Sequence, residues 1–432
     1  MMNLQKDIWS GFQNGGGNLV APQKLPVEWS PKKNIAWRVE LTGYGQSSPV
    51  VWKDKIYVTT ILGPNKEKNV VTAYHAKTGK QLWQKQLVSS FPQAAHDLIS
   101  RAAATPSVDT GGVYAFFESG DFYALSHTGA LRWHRDLGKE YGKPKNIYGL
   151  GSSPAQNTDS LFLLIEDEAP SYLLRIEKKS GKTLWKSDRE PRTSYSSPIL
   201  TRFQNQELLL LSSTGVVQGY ETATGKRLWS LEGLSGNKIP TPGIGGELIF
   251  TGAAAAERGG GASVFSPTES NCCLKLVEKE GKPSYELLWK SKKASCGMMG
   301  PQFYKGLVYY VNATGVLFCL DSKTGEEFYS ERIGDQCWAQ AVGIDDQLYL
   351  FGKKGTTTVV KAGPKFEKVA VNALWESDSP PMPRIPTNVP PAGADGAPRG
   401  LPGGPNDPTL CAVAVAHDSF YLRVATHLYC VR

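Results

Sequence analysis

The chain has no long hydrophobic run: none of its 432 residues falls in a stretch approaching the roughly 20 apolar residues that a helix needs to cross a bilayer. A membrane-spanning helix is thereby excluded. The first nine residues, Met1 to Trp9, lack the apolar core of a signal peptide. Histidine is scarce, with His75, His96, His127, His134, His417 and His427 showing no His-x-His or His-Glu-x-x-His spacing. No Cys-x-x-Cys pair occurs either, so the local signatures of a metal site are missing. Seven cysteines are an odd number and do not make a disulfide framework. Gly15-Gly16-Gly17 and Gly259-Gly260-Gly261 precede neither a helix pattern nor a Lys-Ser/Thr pair, which rules out a phosphate cradle. No local Ser-His-Asp or paired-carboxylate spacing is present. The net charge of +8 is spread over turns, often as Gly-Lys, and forms no basic stripe interleaved with aromatics, so nucleic acid is not an expected partner.

What the chain has instead is repetition. Ala73 to Trp83, Ala124 to Trp133, Arg175 to Trp185, Gly219 to Trp229, Leu276 to Trp289 and Cys319 to Tyr329 are variants of one phrase, an apolar strand, a Thr/Ser-Gly turn and a second strand closed by an aromatic. The glycine suits the positive-φ position of a hairpin turn. Upstream of each phrase stands a small residue and a proline leading into a β-branched or aromatic strand: Ser48-Pro49, Thr105-Pro106, Ser153-Pro154, Ser197-Pro198, Thr241-Pro242 and Gly300-Pro301. Two hairpins per repeat make a four-stranded sheet, and a period of 40 to 60 residues between the closing aromatics Trp83, Trp133, Trp185, Trp229, Trp289, Tyr329 and Trp375 is that of a propeller blade. After Trp375 the sequence supplies three strands, around 410–416, 419–424 and 427–432. The strand pattern at 34–41 supplies the fourth. The expected fold is therefore an all-β, eight-bladed β-propeller of four-stranded antiparallel blades over residues 34–432. Residues 1–33 form an N-terminal extension, residues 377–408 a Pro/Gly-rich insertion, and the N-terminal strand closes the ring. With 45 Gly, 28 Pro and 10% aromatics, the composition suits a turn-rich all-β chain.

The repeat Ala-x-x-x-x-Thr-Gly-Lys-x-x-Trp resembles that of the quinoprotein-type eight-bladed propellers. This family includes the pyrroloquinoline-quinone alcohol dehydrogenases and the cofactor-free lipoprotein propeller of the bacterial outer-membrane assembly machine. The resemblance implies an exported protein, periplasmic or extracellular, whose signal or lipoprotein leader is absent from this chain. It is compatible with peripheral or lipid-anchored membrane association and a monomeric state. The leading functional expectation is a non-catalytic propeller that binds a protein or glycan partner, with no cofactor. The alternatives are an oxidoreductase dependent on pyrroloquinoline quinone and calcium, and a carbohydrate-active enzyme. The dehydrogenases carry a vicinal disulfide against their quinone; here the adjacent Cys272 and Cys273 begin the third strand of blade five, away from that position. Cys319, Cys411 and Cys430 read as buried small hydrophobes. Cys296 and Cys337 precede inner strands of neighbouring blades and read as free thiols. The acidic run Glu166-Asp167-Glu168 reads as a solvated turn.

In such a blade the link between second and third strands and the link to the next blade emerge on one face, and the Thr-Gly turns on the other. The long irregular segments 88–100, 138–149, 253–271 and 377–408 all fall on the first face, which is the expected binding surface. Just ahead of the inner strands, Gln46, Arg101, Tyr148, Tyr195, Lys238, Met298, Trp338 and Gln340 should rim the central channel there. The competing reading gives them only strand ends and channel waters to satisfy.

Overall fold

The structure, a computed structural model, describes residues 4–92, 102–145, 149–254, 263–381, 409–424 and 426–432. Eight antiparallel sheets follow one another in chain order, each running from an inner to an outer strand. Blade one comprises Val50–Trp52, Lys55–Leu62, Lys68–His75 and Gln81–Val88. The ring closes as expected: Ile35–Glu40 pairs with His427–Val431, placing Trp37 opposite Cys430 and completing a sheet with Leu410–Ala416 and Ser419–Val424. Apolar residues alternate toward both neighbouring blades, so the core is a series of clusters lying between sheets.

The repeated phrase is a docking device between blades. Five closing tryptophans lie on the turn glycine of the next blade and donate the indole N–H to a carbonyl in the same turn: Trp37 to Ala76 O (3.1 Å), Trp83 to His127 O (2.9 Å), Trp133 to Lys178 O (2.9 Å), Trp185 to Thr222 O (3.0 Å) and Trp289 to Ser322 O (3.0 Å). At Gly181 a Cβ would fall 2.8 Å from the Trp133 ring, and φ is +74°, so the position demands glycine for two reasons.

Blade seven departs from the sequence reading. The residue in register with the other closing aromatics is Ala370, opposite Val359, whereas Trp375 follows the outer strand Lys368–Ala373 and packs on Gly355. Trp29, from the N-terminal segment, packs instead between Tyr349 of blade seven and Phe420 of blade eight.

The N-terminal segment is built into the ring. Ile8–Trp9 adds a fifth strand to blade one, inside its inner strand, with Ile8 opposite Trp52. The Lys6 and Asp7 carbonyls accept from His417 and Lys53, in the turns of blades eight and one. The chain then circles the channel. Ser10 O accepts from Val108 N and from Gln156 Nε2, Gly16 packs on Ile199 and Leu200, and Gly17 approaches Ile244 O while its own carbonyl accepts from Gln302. Asn18 Nδ2 reaches Ala341 O. Every blade is touched, and the contacts with blades one and eight lie in the turns that share a face with the Thr-Gly hairpins. Residues 5–18 therefore close the channel from that face.

Candidate functional site

With one end closed, the channel becomes a blind funnel of about 240 Å³ opening on the insertion-bearing face. Phe12, Gln13 and Asn18 form its floor. The floor is held by a left-handed turn, with φ near +50° at Gln13, Asn14 and Asn18 and glycine at the three positions between. Gln13 Nε2 donates to Gln340 Oε1 at 3.4 Å, while Gln340 Nε2 bridges to Gly300 O and Gln302 Oε1, both at 3.2 Å.

The wall is set by the Ser/Thr-Pro motif. Ser48 N donates to Thr105 Oγ1 (3.0 Å), Thr105 N to Ser153 Oγ (3.0 Å), Ser153 N to Ser197 Oγ (2.9 Å) and Ser197 N to Thr241 Oγ1 (3.0 Å). The proline that follows each hydroxyl has no N–H to satisfy, so the blades are stitched by a relay of backbone donors and side-chain acceptors. The relay stops at Gly300, where a Cβ would lie 2.3 Å from Thr241 O. Gln340 takes over on the far side.

Of the residues expected at the rim, Gln46, Tyr195, Met298, Trp338 and Gln340 line the funnel. Lys238 stands beside it with its ammonium 5.6 Å over the Tyr195 ring, and its carbonyl accepts the Tyr195 N–H at 2.9 Å. Across the opening, the Lys353 ammonium lies 5.1 Å over Trp338, whose indole N–H reaches Gln336 Oε1 at 3.3 Å. Arg101 and Tyr148 lie outside the described residues. Sequence reasoning missed the floor and the wall hydroxyls. The repeated Ser/Thr before proline was the available signal for the wall; no repeat marks the floor.

Other expectations are corrected. Glu166 is not in a solvated turn: it is buried and bonded by Arg189 through Nε (3.0 Å) and Nη2 (2.6 Å), and Arg189 in turn reaches Gln218 and Tyr220. Asp167 is buried too, accepting the Lys145 N–H and capping Glu168 N. Cys411 is not wholly buried, because it lines the funnel. Cys272 and Cys273 are free and buried, and as neighbours in an extended strand they point into different clusters, Cys272 toward Leu210 and Cys273 toward Tyr310 and Cys296. They present no vicinal ring to the funnel. Among the described residues its lining holds no carboxylate, and no group of three metal-ligating side chains occurs. These residues do not fit a quinone–calcium pair. Burial pushes the Cys272 thiol up to about 11 and the Cys273 and Cys296 thiols higher still.

Comparison with known proteins agrees with the fold. A family model described as outer membrane protein assembly factor BamB matches residues 15–147 and 128–331. The crystal structure of BamB from Moraxella catarrhalis superposes with a TM-score of 0.59 at 12% identity, covering 92% of this chain and 98% of that one. A computationally designed protein, Ika8, gives a TM-score of 0.51 at 12% identity over 91% and 98% of the two chains. Among curated proteins, the tetrathionate hydrolase of Acidithiobacillus ferrooxidans is 23% identical over 315 residues, 67% of this chain. This chain spans 54% of that protein's length.

Proposed function

The chain belongs to the family of the outer membrane protein assembly factor BamB, and on that premise we propose that it is an exported binding propeller that docks a protein partner on its insertion-bearing face. The observation that carries this reading is the asymmetry of the two ends. Residues 5–18 seal the channel on the Thr-Gly side, and the opposite side opens on Tyr195, Trp338 and a Met298 that is 39% exposed. Aromatic residues at the centre of a concave surface are the residue types that anchor protein interfaces. A glycan would use the same aromatic faces, but family membership favours protein.

The test is a photocrosslinking residue placed at Met298 or at Lys179, on opposite faces. A partner captured from Met298 and weakened by roughly 2 kcal/mol in Trp338→Ala supports docking at the funnel. Capture from Lys179 alone places the partner on the sealed face and ends the proposal. A second reading rests on the tetrathionate hydrolase likeness: a hydrolytic activity housed in the funnel. Incubation of the purified protein with tetrathionate decides it, since loss of substrate that Gln340→Ala abolishes would favour the enzyme.

A further inference from the structure

The funnel wall has a consistent chemical bias. Ser153 Oγ and Ser197 Oγ each accept a backbone N–H from the preceding blade, which fixes their lone pairs and leaves their hydroxyl protons without an acceptor among the described residues. Ser48 Oγ and the Gln46 side-chain amide make no hydrogen bond there either. All four face a cavity that no carboxylate lines among the described residues. Two hydroxyl protons with no acceptor, and a hydroxyl and an amide free to turn their O–H and N–H groups inward, gather around one space, and what such a space fits is a group rich in acceptor oxygens.

A second observation points the same way and comes from behind the wall. Arg423 is fully buried, in register opposite Ala412 of the funnel lining. Its Nη1 donates to Ser47 O (3.0 Å) and Ser47 Oγ (2.5 Å), and its Nη2 to Thr59 O (2.8 Å). No carboxylate pairs with it among the described residues, and its Nε has no partner. Burial pulls its pKa down to about 10, which still leaves a cation at neutral pH. A buried cation without a counter-ion is costly, and buried charges are as a rule paired. Ser47, which this guanidinium grips, lies between Gln46 and Ser48 of the wall. Lys238 adds a further cation beside the rim.

We infer that the funnel is a binding site for a small oxyanion, a carboxylate or inorganic oxyanion held by Ser48, Ser153, Ser197 and Gln46 in the field of Arg423. The site stands whether or not Trp338 anchors a protein. At about 240 Å³ it falls below the range of drug-sized pockets, so the ligand is compact or is the terminal group of a flexible chain. Charge-assisted hydrogen bonds from hydroxyls set the affinity, and the buried guanidinium favours anions over neutral ligands of the same shape.

Titration calorimetry on the full chain at low ionic strength tests this with citrate, sulfate, neutral sorbitol, and a short peptide carrying either a free or an amidated C-terminus. Citrate or sulfate should bind and sorbitol should not. The Ser153→Ala/Ser197→Ala double variant should bind at least about tenfold more weakly, as expected for loss of hydrogen bonds to a charged group. Binding of the free-terminus peptide but not of citrate would identify a chain end as the ligand; binding of citrate identifies a free small anion. Arg423→Gln should also weaken binding, and if that variant fails to fold the serine pair decides alone. No binding by any anion, or equal affinity in the serine variant, overturns the inference. Loss of partner capture in Trp338→Ala with citrate affinity unchanged separates the fate of the docking proposal from this one.

Discussion

The indole ring of Trp83 lies flat on Gly129 of the following blade, so close that a Cβ there would sit 2.9 Å from the ring, while its N–H reaches His127 O at 2.9 Å. The same socket recurs at Gly181 and Gly225, and it explains why the repeat ties a glycine to a tryptophan that belongs to a different sheet.

The seam between blades four and five breaks this pattern. Trp229 lies across Gly219 of its own blade with its ring tilted against Tyr285 at 5.0 Å, and its indole N–H has no partner among the described residues. At Gly281, in the blade-five turn, a Cβ would meet nothing within 4 Å. Gly225 and Gly281 both have φ near +73°. Gly225→Ala should therefore cost about 3 kcal/mol, backbone strain of about 1 plus overpacking against Trp185. Gly281→Ala should cost only the strain, about 1 kcal/mol. Trp185→Ala, emptying the socket, should cost about 3 to 5 kcal/mol. Chemical denaturation of the three variants is the measurement; equal losses at Gly225 and Gly281 would remove the docking role from the repeat.

The fold was legible because this socket leaves a sequence period, and ring closure was legible because three C-terminal strands need a fourth. The floor of the funnel was not. Its residues, Gln13 to Asn18, form a left-handed turn whose partners are scattered over distant blades, and no local spacing encodes such contacts. The rim could be placed by counting back from inner strands, which brought five of eight residues to the funnel. The burial of Glu166 was hidden because Arg189, its partner, stands 23 positions on.

Two truncations separate the N-terminal strand from the plug. Removing residues 1–18 keeps Ile35–Glu40 and Trp29 but exposes the socket of Trp9, which is 1% accessible. The truncated chain should keep the association state of the intact protein and lose about 3 kcal/mol or more, the scale of emptying a buried aromatic site. Removing residues 1–41 also strips the strand paired with His427–Val431 and leaves an open edge prone to association. Melting curves with light scattering distinguish them. A chain lacking 1–18 that melts like the intact protein would mean the plug does not pack as described.

Asp121 gives the stability a defined dependence on pH. Fully buried between blades one and two, it accepts from Asn69 (3.0 Å), Ser119 (2.7 Å), Ser90 N (2.9 Å), Ser90 Oγ (2.6 Å) and His134 Nε2 (2.7 Å). Burial opposes its ionisation, but the hydrogen bonds from His134, Ser90 and Ser119 outweigh that and hold its pKa below the ordinary value. Its stabilising contribution is thus full above the unfolded pKa of about 3.9 and is lost as pH falls through the lower folded value. Asp121→Asn should cost about 2 to 4 kcal/mol near pH 7, and the gap to the parent should shrink steadily below about pH 4. A gap that is constant with pH would assign the loss to shape alone.

Thiol labelling reads the state of the funnel directly. Cys272, Cys273, Cys296, Cys319, Cys337 and Cys430 are 0 to 1% exposed, and burial raises the pKa of each, so they carry little of the thiolate that reacts. Cys411 alone among the seven is partly accessible, and it opens into the funnel. One cysteine per chain should therefore react with a small maleimide under native conditions, with mass mapping it to Cys411, and the other six only on unfolding. A ligand bound against Ser48 and Gln46 would cover the neighbouring Cys411 and slow its labelling several-fold, whereas sorbitol would not. Native labelling of Cys272 or Cys273 at a comparable rate would instead reveal opening of blade five at the irregular seam beside Trp229, and the funnel would no longer be the reactive entrance.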